Sequence, residues 1–450
     1  MRRLFNFAPS YRPLNHGSYG TFPRCVLEHR QQLQRDFEAR ECIYKQFIYP
    51  KLLRESRALV APLLGADKDE VVFVPNATTG INTVLRNFVY EEGDVIVYPS
   101  SIYAACLKTI QSLQETTPVR GHRISVTYPM EDDEILERFQ AAVEAVLKDD
   151  GTGRKKRIRL AIFDTIVSGP GVRVPWERLV KACRERGILS MIDGAHAIGH
   201  IDMTHTASGV KPDFLVTNCH KWLYVPRGCA VLYVPFANQH LVKTGLPTSH
   251  GYWSPEIRDS KPTTEYFTNL FADISTNDYS SFTTVPAALK FRNEVCGGEE
   301  AIREYCTALA FEGGNRAAEI LGTEVMDTSN GSIRRCVFAN VRLPLSIQDS
   351  TAGEIGGGGD GDIAQEDVAK ALLWIYTTAA VEYDTYMQTF YYAGNIWTRF
   401  SAQIYLEMAD IEWGARTLLT LCDRVKDGEW RSLRSDALPS EMRDVLMGYP

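Results

Sequence analysis

A chain of 450 residues with 44% hydrophobic and 23% charged residues is long enough to bury a large core, and it reads as one large domain with a smaller one attached. Its formal net charge of -7 and pI near 5.8 supply no positive field for a phosphate backbone, and the KKR tract at Lys155 to Arg157 is too short to supply one, so nucleic acid is not expected as a partner. Ten cysteines without a CxxC pair or a Cys/His cluster predict reduced thiols, no metal site and a cytoplasmic protein; no run approaches a membrane span, and MRRLFNFAPSYRPLNHG lacks the apolar centre of a signal peptide.

In chain order, the first strong signal is VVFVPNATTGINTVLRNF, a strand, a small-residue turn and a helix, with Asn76, Ala77, Thr78 and Thr79 at the helix start. Free N–H groups and the macrodipole there attract an anion such as phosphate, although the same residue types cap ordinary helices. The motif is neither a P-loop nor a GxGxxG fingerprint. Further apolar runs follow, DVIVYP, RISVTYP, IRLAIFD, LSMIDGA, DFLVTN and CAVLYVP, and their alternation with helical segments predicts a mostly parallel sheet covered by helices. Asn76, Asp164, Asp193 and Asn218 end such runs, at the edge where open α/β sheets bind ligands.

Asp193 leaves a buried run and needs a partner: an arginine, or the protonated ring nitrogen of pyridoxal 5′-phosphate (PLP), whose ring is an electron sink. His196 either touches that ring's phenolic oxygen or is a satisfied core histidine. Lys221 stands between FLVTNCH and WLYVPRGCAVLYV, where burial would make its amine a nucleophile; the alternative is a lysine snorkelling to water. Beyond about residue 290 the texture shifts to long helical patterns with strand candidates SIRRCVFANVRL and NIWTRFSAQIY, a second α+β domain. Arg399, inside the last of these, calls for an anion, either a bidentate carboxylate or an interdomain salt bridge. The predicted division is an N-terminal segment, 1–50, contributing to the site and the small domain, a PLP-binding large domain, 51–290, and a small domain, 291–450, with a flexible insertion at 346–367.

Taken together, LNHGSYG (Leu14 to Gly20), PNATTGINTVLRN, MIDGAHAIGH, DFLVTNCHKWLYVPRGCAVLYVP, the STND tract (Ser275 to Asp278) and RFSAQIYLE from Arg399 resemble the fold-type I PLP enzymes of the class V aminotransferase group, which includes cysteine desulfurases and isopenicillin N epimerase-like proteins. The resemblance runs from about Leu14 to about residue 425. It implies the aspartate aminotransferase-like α/β fold, PLP as cofactor and a homodimer with active sites at the subunit interface. Residue by residue, it implies that Lys221 is the Schiff-base lysine, that Asp193 holds the pyridinium and that His196 and Ser168 lie near the phenolic oxygen. Ala77, Thr78, Asn218 and His220 would meet the phosphate, and Thr276 the phosphate of the neighbouring subunit. Arg399 would grip the substrate α-carboxylate, with Asn15, His16 and Arg123 also toward substrate. Tyr103 would face the ring and be the second candidate base after Lys221.

Two fungal branches resemble the chain over nearly its whole length, the PLP enzymes of loline alkaloid biosynthesis and the ergothioneine-pathway C–S lyase (hercynylcysteine sulfoxide lyase). Arg123 stands where the lyase branch carries a cysteine, whereas His16 matches the lyase-like form, so the two clues point opposite ways. The expectation is an enzyme of specialised metabolism that generates a Cα carbanion from an amino-acid-derived substrate. Mannich-type carbon–carbon bond formation, with or without decarboxylation or Cα–H exchange, is placed first. C–S lysis is the alternative. A non-catalytic scaffold is the third reading, and the presence of Lys221, Asp193 and Arg399 argues against it. Strand side chains alternate faces, so whether Arg123 looks into the pocket stays open.

Overall fold

Apolar runs that are buried on both faces can be satisfied only inside a sheet covered on two sides, and six of them, with one more polar edge strand, form one. In the computed structural model, which describes residues 1–148, 156–204, 209, 211–348 and 363–433, they are β1 (Val71–Val74), β2 (Asp94–Pro99), β3 (Arg120–Ile124), β4 (Arg157–Asp164), β5 (Leu189–Asp193), β6 (Phe214–Asn218) and β7 (Ala230–Tyr233). The order across the sheet is β1-β7-β6-β5-β4-β2-β3, with β7 antiparallel to both neighbours and the other pairings parallel. Side chains alternate between two apolar clusters: Val71 and Phe73 join one, Val72 and Val74 the other. This is the fold class the sequence predicts. β3 departs from the reading: the strand is RGHRI, not RISVTYP, so Arg123 sits near its C-terminal end.

All the parallel strands deliver their C-terminal ends to one edge. Helix Ala77–Asn87 leaves β1 there, helix Ala104–Thr116 follows β2, and the short helix Cys219–Trp222 follows β6. In the C-terminal part, helices Glu299–Leu321 and Met408–Lys426 accompany β8 (Phe338–Arg342), the short parallel pair β9 (Ile347–Gln348) and β10 (Ile363–Ala364), β11 (Gln388–Tyr392) and β12 (Asn395–Ser401). β11, β12 and β8 form an antiparallel three-stranded sheet in that order. Most of the predicted insertion at 346–367 lies outside the described residues. β11 was not among the predicted strands. Its hairpin to β12 turns at Ala393 and Gly394, with φ of 48° and 80°, a two-residue turn carried by Ala-Gly rather than the familiar Asn-Gly. Among the described residues, no helix is long and apolar enough to cross a membrane, and no group of His, Cys, Asp and Glu could hold a metal ion.

The N-terminal segment runs back against both parts. Ser401 N–H donates to the Leu14 carbonyl, and Gly17 N–H donates to Ser401 Oγ. Gly20, at φ 66°, presses so closely on the loop after β6 that a Cβ there would stand 1.9 Å from the His220 carbonyl oxygen. Only glycine supplies both the conformation and the space.

Candidate active site at the sheet edge

Lys221 is fixed by its own backbone and by its neighbours. The Lys221 carbonyl is held by buried His16 at 2.5 Å, and the next carbonyl, of Trp222, accepts from Arg292 Nη1 at 2.7 Å. Because a carbonyl can only accept, His16 must carry its proton on Nε2, so its Nδ1 accepts from the Tyr405 hydroxyl at 2.8 Å. Burial lowers the His16 pKa to about 4, which keeps it neutral for this arrangement. Arg292, 0% exposed, also pairs with Glu299 Oε2 at 2.6 Å, so Glu299 anchors the lysine loop indirectly.

The same logic fixes His196. Trp222 Nε1–H donates to its Nδ1 at 3.2 Å, which leaves the proton on Nε2, 3.1 Å from Lys221 Nζ. A donor aimed at the lysine nitrogen requires a lone pair there, so the geometry favours a neutral amine. Burial, and then the nearby Arg399 charge, lower the Lys221 pKa to about 8, against the opposing pull of Asp193 and Asp164. Of the two sequence readings of Lys221, the buried nucleophile is the one the surroundings support.

Below the lysine lie two carboxyls in register on neighbouring strands, Asp164 at the end of β4 and Asp193 at the end of β5. They are 5% and 4% exposed, and neither makes an ion pair among the described residues. Asp193 accepts from Ala195 N–H at 2.9 Å and from the Cys106 thiol at 3.5 Å, while Asp164 Oδ2 has no hydrogen-bond partner. Burial first, and for Asp164 the charge of Asp193 next, push both carboxyls above their ordinary range, Asp164 well above. The arginine partner entertained for Asp193 is not there, and a cationic ring nitrogen would supply what its environment withholds.

Arg399, 2% exposed, donates to Asn15 Oδ1 at 3.0 Å, to Ser18 Oγ at 3.2 Å and to the Ser168 carbonyl, with its guanidinium carbon 4.5 Å above the Phe338 ring. Its Nε has no partner and no carboxylate faces it among the described residues, so it is not the interdomain salt bridge. Burial lowers its pKa to about 10, a strain that an incoming carboxylate would relieve. Lys221, Arg399, Ser168, Tyr103 and Arg123 all line one cavity of about 600 Å³, together with Gln388, Phe390, Tyr391, Tyr392 and Ala393 of the β11–β12 hairpin. Arg123 therefore faces the pocket.

The predicted phosphate residues gather at the start of helix Ala77–Asn87, but partly satisfy one another. Asn218 Oδ1 accepts from Ala77 N–H at 2.9 Å, Asn76 Oδ1 caps Thr79 N–H at 2.8 Å, and the Thr78 amide keeps no acceptor among the described residues. His220 Nδ1 bonds the Cys229 carbonyl at 2.9 Å, leaving Nε2 open. None of Ala77, Thr78, Asn218 and His220 lines the large cavity. Thr276 lies apart from this group, exposed at a second cavity with Tyr44, Lys45 and Tyr49. His16, expected toward substrate, has both ring nitrogens committed and positions the lysine loop instead. Sequence reasoning passed over Trp222, Tyr405, Arg292, Cys106 and the hairpin aromatics; only the alternating QTFYYAGNIWTRFS carried a legible hairpin signal. The open Thr78 amide, the Asp193 carboxyl without a cation and the lysine of lowered pKa suit PLP's phosphate, ring nitrogen and aldehyde respectively.

The Aminotransferase class-V family profile matches residues 23–331. An L-cysteine desulfhydrase-like protein of Epichloe uncinata is 38% identical, covering 95% of this chain and 96% of that protein. Hercynylcysteine sulfoxide lyase of Schizosaccharomyces pombe is 31% identical, over 94% of this chain and 97% of that protein. Among solved structures, a cystine C–S lyase complexed with its product cysteine persulfide superimposes with a TM-score of 0.68 at 17% identity, covering 92% of this chain and 98% of that one, a likeness of fold.

Proposed function

Because the chain belongs to the class-V aminotransferase family of PLP-dependent enzymes, we propose that it is a lyase that cleaves the C–S bond of a cysteine-derived amino acid. The observation that carries the reading is the meeting, in one cavity, of a lysine with a pKa of about 8 and a buried arginine without a carboxylate partner. When bound, PLP supplies a carbonyl that condenses with an amine and a ring that accepts electron density from Cα.

The chain's own groups do the rest. Arg399 binds the α-carboxylate and orients the Cα–H bond toward Lys221. Lys221 Nζ would take the Cα proton, with His196 Nε2–H holding it in place. Asp193 keeps a proton on the ring nitrogen, and Tyr103 lies along the cavity wall as a second proton handler. Loss of the Cα proton would break the Cβ–S bond and expel the sulfur group, which takes up a proton, and the aminoacrylate left behind would be hydrolysed by water to pyruvate and ammonia. Two copies of the chain, with Thr276 completing the facing phosphate cup, are part of the proposal, as is a cytoplasmic setting, in keeping with ten free cysteines.

C–S lysis moves ahead of carbon–carbon bond formation because relatives that align over nearly the whole chain are a cysteine desulfhydrase-like protein and a sulfoxide lyase. One observation keeps the Mannich-type reading second: Arg123 lines the cavity, and a guanidinium cannot protonate a leaving sulfur at neutral pH. The test incubates the PLP-loaded protein in heavy water with cysteine, cystine, cysteine thioethers and hercynylcysteine sulfoxide. Release of sulfide from cysteine, persulfide from cystine, thiol from a thioether or sulfenic acid from the sulfoxide, with equimolar pyruvate, supports the lyase. Cα–H exchange on an amino acid without sulfur release would replace it by the second reading.

A further inference from the structure

The charges around the large cavity do not balance for a simple amino acid. Its lining contains two guanidiniums, Arg399 and Arg123, and the Lys221 amine, and no aspartate or glutamate. Lys221 engages the cofactor and Arg399 the α-carboxylate, which leaves Arg123. Its side chain is exposed toward the cavity from the end of β3, opposite Tyr98 of β2 in register, and it makes no hydrogen bond or ion pair among the described residues. The cofactor phosphate does not answer it, since the helix start, Asn218 and His220 lie outside this lining. The same lining also carries Gln388 and the Tyr391 and Tyr392 rings.

We propose that Arg123 binds a second carboxylate at the end of the substrate side chain, so that the native substrate is an amino acid bearing two carboxylates. A planar guanidinium without a protein partner reads a carboxylate through two parallel hydrogen bonds, and a lining with two guanidiniums and no carboxylate favours anions over neutral analogues. The proposal rests on the reading that Arg399 takes the α-carboxylate.

The experiment titrates the PLP-loaded protein with two matched pairs and reads Kd from the change in cofactor absorbance. One pair is S-carboxymethyl-L-cysteine and S-carbamoylmethyl-L-cysteine; the other, free of sulfur, is L-glutamate and L-glutamine. Each pair has the same shape and differs in one charge. The expected result is a Kd about tenfold or more lower for the acid of at least the better-fitting pair. In Arg123→Gln the acid and amide should bind alike, with the amide's Kd unchanged, and Arg123→Lys should restore part of the preference. Equal Kd values within both pairs in the wild type, or a preference that survives Arg123→Gln, overturns the proposal. The lyase reading fails separately: acid preference intact, yet no thioglycolate released from S-carboxymethylcysteine. Loss of Arg399 settles the shared premise, because Arg399→Ala should weaken both members of each pair equally and leave their ratio standing.

Discussion

The two walls of the cavity are built on opposite terms. On the sheet-edge wall each reacting group is held by a neighbour that is itself held: Lys221 by His16 through its carbonyl, His196 by Trp222, and Trp222's own carbonyl by Arg292. On the other wall, Arg123 at the end of β3 has no hydrogen-bond or ion-pair partner among the described residues and shares the lining with residues of the β11–β12 hairpin. A proton-transfer group has to be in place before substrate arrives, so its surroundings are completed in advance. A recognition group is worth most when the substrate supplies its missing partner. The contrast separates what the fold fixes for the chemistry from what it leaves for selectivity.

The comparison can be broken most directly at the finished wall. Lys221→Ala should remove about three orders of magnitude or more of turnover, together with the borohydride-trappable cofactor adduct. Peptide mapping that finds the reduced cofactor on another lysine would refute the assignment. Asp193→Asn should lower kcat about a hundredfold while cofactor content, measured by absorbance, stays closer to normal, because an amide cannot keep the ring nitrogen protonated. A parallel loss of both would make Asp193 a binding group and no more. Arg399→Lys should raise KM roughly tenfold with a smaller change in kcat, since an ammonium keeps the charge but loses the fork that Asn15 and Ser18 help orient.

A gentler test asks whether the finished wall depends on its histidines staying neutral. Folded-state pKa values near 4 for His16 and His220, against an ordinary 6.5, mean that the unfolded chain binds more protons between those limits. Stability is therefore fully present above about pH 6.5 and declines as pH falls toward 4, by about 3 kcal/mol per such histidine at the limit. Thermal midpoints at pH 7 and pH 5 should differ in that direction, and His16→Phe should reduce the difference. A midpoint that rises on acidification would show that these rings are not held neutral.

How much of this was legible in the sequence follows the same division. The strand-end residues Asp164, Asp193 and Asn218 and the Lys221 loop could be read because their buried flanks are continuous and a polar residue closes each run. The clamp behind Lys221 could not: His16 and Tyr405 stand 389 residues apart, and nothing local in LNHGS or AQIYLE announces that they meet. The error at β3 has a physical source as well. VRGHRI is polar for a strand because β3 is the edge of the sheet, so the apolar continuation after it looked more strand-like than the strand itself. That shift by a few residues is what had hidden the direction of Arg123.

Arg399 and Asn15 meet across 384 residues of chain, whereas the sheet edge that carries Asp193 and Lys221 is complete by β7. Contacts of such sequence separation close against the largest loop entropy and form late. Synthesis delivers the strands that carry the residues proposed to hold the cofactor before β12 and Arg399, proposed to admit the amino acid. A chain that ends before β12 carries Asp193 and Lys221 but lacks Arg399, the proposed carboxylate clamp.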